Sequence, residues 1–131
     1  MDDATSYWLP LCAVVQRLRP CWVRTAWRDG DSTDEGRWGQ LLTTPVNGYL
    51  EGPDGPWPVR VIEWVEVSTS GVKGGLAGRP LQFVDRKAEI IAAANETPLH
   101  WELRATNWTV ERVFDNEPVD VLRFRNPFTA P

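Results

Sequence analysis

Some segments of the chain repeat apolar residues at helical spacing and others alternate them with a period of two, which predicts a fold of both helices and strands. Residues 10–19 carry one apolar stripe at helical spacing, with Pro10 suited to a first helical position and Pro20 ending the segment. A second helix is predicted over residues 85–95, where Asp85 can cap the start and Asn95 favours the stop. These two segments are the predicted helices.

Several other segments are rich in β-branched or aromatic residues and alternate with a period of two, which predicts strands. They are residues 21–28, 38–42, 57–67, 99–104, 108–114 and 119–125. Short predicted turns at 105–107 and 115–118 join the last three strands, so these should run antiparallel. Residues 45–58 and 71–80, rich in glycine and proline, should be irregular. We therefore predict a single α+β domain over residues 1–131. It should hold a mostly antiparallel sheet of about five to six strands, two helices packed on one face, and frayed ends at 1–5 and 126–131.

Composition narrows the classes of partner. The chain has 131 residues and a formal net charge of −4, which argues against a nucleic-acid binder and suits a basic protein partner. The start is acidic and no apolar run is long enough for a membrane span, so we expect a cytoplasmic protein without membrane contact, monomeric or weakly dimeric. Cys12 and Cys21 are expected to be free thiols, because two cysteines make no disulfide framework in a chain of this size.

The densest charge lies in one predicted turn or loop. Asp29, Asp31, Asp34 and Glu35 place four carboxylates within seven residues. A calcium loop starting at Asp29 would need glycine at its sixth position and glutamate at its twelfth, and the chain has Asp34 and Gln40 there. Two interpretations remain, a solvated hairpin loop or an acidic patch that meets a basic partner.

No catalytic constellation stands out. The glycine-rich segment 71–80 carries Lys73 and Arg79, but it lacks the Lys-Ser or Lys-Thr pair of a phosphate-binding loop and does not run straight into a helix. His100 is the only histidine and has no nucleophile motif around it. We predict no catalytic residue, no metal and no cofactor.

Glu63 is an unusual position. In a regular strand it would share a face with Val59, Val61, Val65 and Val67, and a buried carboxylate without a partner is costly. Three explanations are open: a β-bulge that shifts the register, a buried pair with an arginine, or a face that serves as a binding surface.

The chain holds eight tryptophans, more than one small core should need. Tryptophan is enriched among the residues that dominate protein interfaces. We expect five or six to be largely buried and two or three partly exposed. Trp22, beside Arg24 on the polar side of its strand, and Trp57, between two prolines, are the candidate contact residues.

Short sequence motifs resemble a family of small uncharacterised bacterial proteins. They are Arg60-Val-Ile-Glu-Trp-Val-Glu-Val with its following loop, the helix over 85–94, Thr97-Pro98, Tyr7-Trp8 and Arg17-Leu-Arg-Pro-Cys-Trp-Val-Arg. The chain departs from that pattern in its strand at 119–125 and its proline-rich middle. The resemblance brings no catalytic residues. By association with such small bacterial proteins, it implies an immunity protein that neutralises a toxin.

The sequence thus predicts a partner-binding protein, in its most specific form an immunity protein. The candidate contact residues are Asp29, Asp31, Asp34, Glu35, Trp22 and Trp57. Two alternatives stay open at this point. One is a small enzyme that uses an unrecognised carboxylate or His100, and the other is an adaptor subunit unrelated to toxins.

Overall fold

Strands predominate over helices in the computed structural model, which describes residues 1–75, 77–110 and 114–129. The helices are α1 (Asp3–Ser6), α2 (Leu9–Arg17) and α3 (Lys87–Asn95), and a 3-10 turn covers Val59–Val61. The strands are β1 (Val23–Asp29), β2 (Ser32–Glu35), β3 (Tyr49–Gly52), β4 (Gly55–Pro58), β5 (Ile62–Ser68), β6 (Ser70–Lys73), β7 (Gln82–Asp85), β8 (Glu102–Val110) and β9 (Phe114–Arg125).

Five of these strands form one curled sheet in the order β2-β1-β5-β9-β8, and every neighbouring pair in it is antiparallel. The other strands form two separate hairpins, β3 with β4 and β6 with β7. The predicted mostly antiparallel α+β fold is confirmed at this level. Strands β2 and β8 are the two edges of the large sheet.

The main core lies against one face of this sheet. Strand residues such as Val65 and Phe124 meet the apolar stripe of α2, including Leu11 and Val15, and Ile90 of α3. The stripe predicted for the first helix is therefore the side that is buried, because residues three and four apart share a helix face. Helices α2 and α3 also contact each other.

Long-range pairing overrides several local predictions. Residues 105–107, predicted as a turn, lie inside β8, and the predicted turn at 115–118 lies inside β9, where Asn107 pairs with Pro118. Residues 45–58 were expected to be irregular but contain the β3–β4 hairpin, and residues 38–42 form no strand. Residues 111–113 of the predicted strand 108–114, and residue 76 of the glycine-rich segment, lie outside the described residues.

The ends that were predicted to be frayed make contacts with the rest of the chain where the structure describes them. Ala4 and Thr5 are buried within α1, and the Asp2 carboxylate accepts a hydrogen bond from the Thr5 amide at 2.9 Å. Near the other end, the Asn126 side-chain amide is buried and donates to the carbonyls of Val59 and Ile62 at 2.7 and 2.9 Å. Residues 130–131 lie outside the described residues.

Cys12 and Cys21 are buried free thiols. Within the described part of the chain, no helix combines the length and the apolar character needed to cross a membrane.

Candidate functional site

The predicted acidic loop is a regular β-hairpin at the edge of the large sheet. Strands β1 and β2 pair from Ala26↔Glu35 to Asp29↔Ser32, which leaves a two-residue turn of Gly30 and Asp31. Gly30 has a φ of +62°, a conformation that glycine adopts without steric cost. The four residues of β2 are all exposed. We call residues 29–35 the acidic hairpin.

The four carboxylates of this hairpin fall into two groups. Asp29, Asp31 and Asp34 are exposed, and no basic side chain of the described residues forms an ion pair with them. Glu35 is engaged, since its carboxylate lies 2.9 Å from the Arg24 guanidinium. Successive side chains of a strand point to opposite faces, so Asp34 and Glu35 separate here. Three carboxylates therefore remain available to a partner.

An aromatic pair adjoins the acidic hairpin. Asp34 is the cross-strand partner of Trp27, and such partners share a face of the sheet with their Cβ atoms about 5 Å apart. Trp27 stacks on Trp57 of β4, with ring centroids 4.4 Å apart and planes inclined by 18°. Both rings are partly exposed. The structure thus brings Trp57 close to the predicted acidic residues.

Trp22 lies elsewhere. It lies one residue before β1, and Asp29 at the far end of that strand is roughly 20 Å away at the usual rise of a strand. Its ring packs edge-on against Trp108 at a centroid distance of 6.3 Å, and it is only partly exposed. Trp22 therefore does not adjoin the three exposed aspartates of the acidic hairpin, whereas Glu35 reaches the second face of the sheet through Arg24.

The face of the sheet opposite the main core contains an ion-paired layer that sequence reasoning missed. Glu66 of β5 is completely buried and lies between two arginines. Its carboxylate accepts from the guanidinium of Arg24 at 2.8 Å and from that of Arg123 at 2.8 Å. Arg24 and Arg123 are its cross-strand neighbours on β1 and β9, so the sheet register itself places the three groups together.

Tryptophans cover this layer. The Arg24 guanidinium carbon lies 5.0 Å from the ring centroid of Trp38 and 5.3 Å from that of Trp64. Arg123 lies over Trp64 at 4.2 Å. Cation–π contacts of this kind strengthen as the groups lose water. The guanidinium groups are consequently held by carboxylate on one side and by indole on the other.

Glu63, the unusual position in the sequence, has two structural explanations. Its carboxylate pairs with Arg28 at 2.6 Å. It also has no partner on β1, because Ala26 pairs with Trp64 while Trp27 pairs with Ile62, which makes Glu63 the extra residue of a β-bulge. The bulge and an arginine partner are both confirmed, but the pair is partly exposed rather than buried. The buried glutamate of this strand is instead Glu66. The feature of the sequence that could have indicated this is an arginine in each of two other predicted strands, Arg24 and Arg123.

The tryptophans are less buried than predicted. Three are buried, and the other five are partly exposed. The buried ones are Trp8, Trp64 and Trp108. The partly exposed ones are Trp22, Trp27, Trp38, Trp57 and Trp101. More rings are partly exposed than the two or three expected, but none of the eight is fully exposed.

The residues considered for catalysis are scattered. His100 is exposed and lies beside Glu102 and Arg125 in a shallow depression of about 190 Å³. Strand β7 separates the glycine-rich segment from α3, as sequence reasoning anticipated from the residues between them. Among the residues that the structure describes, no three His, Cys, Asp or Glu side chains are grouped so that they could hold a metal ion.

No protein-family model, no curated protein and no solved structure matches the chain. The resemblance to small bacterial proteins therefore stays a prediction.

Proposed function

We propose that this protein binds a basic partner protein through the acidic hairpin and the adjoining Trp27–Trp57 pair. The observation that carries the proposal is the position of Asp29, Asp31 and Asp34, three carboxylates without an ion-pair partner among the described residues, on a short regular hairpin beside two stacked indoles. Charges at such a site accelerate encounter with a positive surface, and the aromatic contact slows dissociation.

In its most specific form, the proposal is that the protein is an immunity protein and the partner a bacterial toxin. A toxin that cleaves nucleic acid needs a positively charged cleft for phosphates. The three aspartates of the acidic hairpin could occupy that cleft in place of phosphate. Such a protein would act in the cytoplasm, as a monomer or weak dimer, and would need neither a metal nor a cofactor.

The test is affinity capture from a lysate of the source organism with three immobilised baits: the parent, Asp31→Asn with Asp34→Asn, and Asp3→Asn with Glu96→Gln. The second pair is a matched control, because it removes the same charge from exposed positions of α1 and the end of α3. A specific partner should be retained by the parent and the control but weakly by the hairpin variant. The Kd of the purified partner should then rise about tenfold or more at low salt, and less at high salt.

Equal retention of every specific partner by all three baits would contradict a role for the acidic hairpin. The immunity form has its own test, which is co-expression of the captured partner with and without this chain. Growth arrest that the parent relieves and the hairpin variant does not would support it. A partner that is harmless when expressed alone would contradict it, although protein binding would still hold.

A further inference from the structure

A polar groove runs beside the Arg24–Glu66–Arg123 layer. Its volume is about 730 Å³, within the usual range of small-molecule sites. Residues 36–41, Pro53 of the β3–β4 turn, and Asn107 and Thr109 of β8 line it, with Arg24 as a further lining residue. The described lining includes two arginines, Arg24 and Arg37, and their carboxylate partners Glu35, Glu66 and Asp54 are not among the lining residues.

Arg24 is rigidly held in this groove. Its side chain is only 11% exposed, it is bonded to the fully buried Glu66, and Trp38 and Trp64 lie against it. Arg37, at the rim, has a side chain that is 80% exposed, and the Asp54 carboxylate accepts from both its backbone amide and its Nε, at 2.7 and 3.0 Å. Arg24, which is held in advance, loses little conformational freedom when an anion binds.

Glu35 already provides an example of the group that such a site would bind. Its side chain is 54% exposed, and its carboxylate reaches Arg24 at 2.9 Å from outside the buried pair. Because the Glu35 side chain is more than half exposed, water screens its pair with Arg24, and an external anion can reach the guanidinium and replace Glu35. The Arg24–Glu66 bond is untouched by that exchange.

From this geometry we propose that the groove binds a small organic anion, a carboxylate or phosphate joined to a planar ring. The anionic group replaces Glu35 on Arg24 and also contacts Arg37, while the ring lies against Trp38. Gln40 and Asn107 supply the polar groups of the lining that can bond to heteroatoms of the ring. The groove uses Arg24 and Arg37 rather than the three exposed aspartates of the acidic hairpin, so this proposal stands independently of the protein-binding one.

The probe is adenosine 5′-monophosphate, compared with adenosine and inorganic phosphate. Each is titrated into the ¹⁵N-labelled protein, and the indole N–H signals are followed, with Trp38→Phe to assign the signal of Trp38. The nucleotide should shift that signal saturably, and each of its two parts should bind at least about tenfold more weakly than the whole. Glu35→Gln should tighten nucleotide binding about threefold to fivefold, because the internal competitor is lost.

Arg37→Gln should weaken nucleotide binding about threefold or more, whereas Arg60→Gln should leave it unchanged, since Arg60 is exposed but does not line the groove. Three outcomes would overturn the proposal. They are no saturable shift at about 10 mM nucleotide, binding of phosphate or adenosine as tight as that of the nucleotide, or a Glu35→Gln variant that binds more weakly than the parent.

Discussion

Val65 and Glu66 are adjacent residues of β5 and both are completely buried, but one has apolar surroundings and the other has charged surroundings. Val65 faces the main core, where aliphatic and aromatic side chains from the sheet and the helices surround it. Glu66 faces the other way and is enclosed by two guanidinium groups and their tryptophan covers. The first environment tolerates apolar side chains of suitable volume, whereas the second needs matched charges. A curled sheet whose central strands are buried on both faces can therefore combine two kinds of interior.

The comparison also explains the number of tryptophans. Trp22, Trp38 and Trp108 pack together on the second face around Val119 and Val121. Indole is large enough to shield a guanidinium group from water and polarisable enough to attract it. The tryptophans of this chain therefore pack against the ion-paired face of the sheet as well as against the main core.

The largest expected effect is that of Glu66→Ala. It leaves Arg24 and Arg123 buried without their shared counter-charge, so the free energy of unfolding should fall by about 3–5 kcal/mol. Val65→Ala, the neighbouring control on the other face, should cost about 2 kcal/mol through lost burial and a small cavity. Urea denaturation of both variants measures the difference. A smaller loss for Glu66→Ala than for Val65→Ala would contradict the contrast between the faces.

A triple variant sharpens the same contrast. With Glu66→Leu, Arg24→Met and Arg123→Met together, no buried charge is left unpaired, and the stability should recover to within about 2 kcal/mol of the parent. If the triple variant were as unstable as Glu66→Ala, the layer would be required for reasons of shape rather than charge.

Cys21 gives the main core a pH dependence of its own. Burial raises the pKa of this thiol from 9.0 to about 11. The native thiol therefore keeps its proton between these values while the unfolded one loses it, so this contribution is complete below pH 9 and is lost as the pH rises to 11. The free energy of unfolding should fall by up to about 1.4 kcal/mol per pH unit in that window. Cys21→Ala should lack this component, and identical pH slopes for the two proteins would refute it.

The smallest expected effect is that of Glu63→Gln. Its partner Arg28 is substantially exposed, so the pair should contribute under about 1 kcal/mol and be weakened by salt. Urea denaturation at low and high ionic strength checks this. A loss as large as that of Glu66→Ala would mean that the ion-paired layer extends as far as the acidic hairpin.

Local signals predicted the helices better than the strands. Pro10 and the apolar stripe placed α2 to within a residue or two, and the Asp85 side chain does accept from the amide of Lys87 at 2.9 Å at the start of α3. The turns inferred at 105–107 and 115–118 were wrong, because each segment is held as strand by the other. Strand formation depends on the partner that a segment meets, and a local pattern carries little information about it.

The candidate site also combines features that local sequence predicts with features that depend on strand pairing. The carboxylates of the acidic hairpin could be recognised in the sequence because they lie close together, and clustered charges stay on the surface in almost any fold. The sequence did not show that Glu35 is paired while the aspartates have no ion-pair partner among the described residues. That difference depends on the alternation of side chains along β2 and on the sheet register, which places Arg24 next to Glu35. The sequence also pointed to Trp22, whose distance from the acidic hairpin follows only from the course of β1.

The sequence by itself determined the class of fold, the two longer helices, the buried stripe of α2 and the position of the acidic charge, because each depends on spacing within a few residues. Only the tertiary structure decided that Glu66 rather than Glu63 is the buried acid, that Trp57 rather than Trp22 adjoins the acidic hairpin, and that an arginine-lined groove exists at all. These features join residues that are far apart in the sequence, such as Arg24 and Glu66, which are 42 positions apart. Their meeting is set by strand order, register and a one-residue bulge, and shifting the register by one residue would send every side chain of the strand to the opposite face.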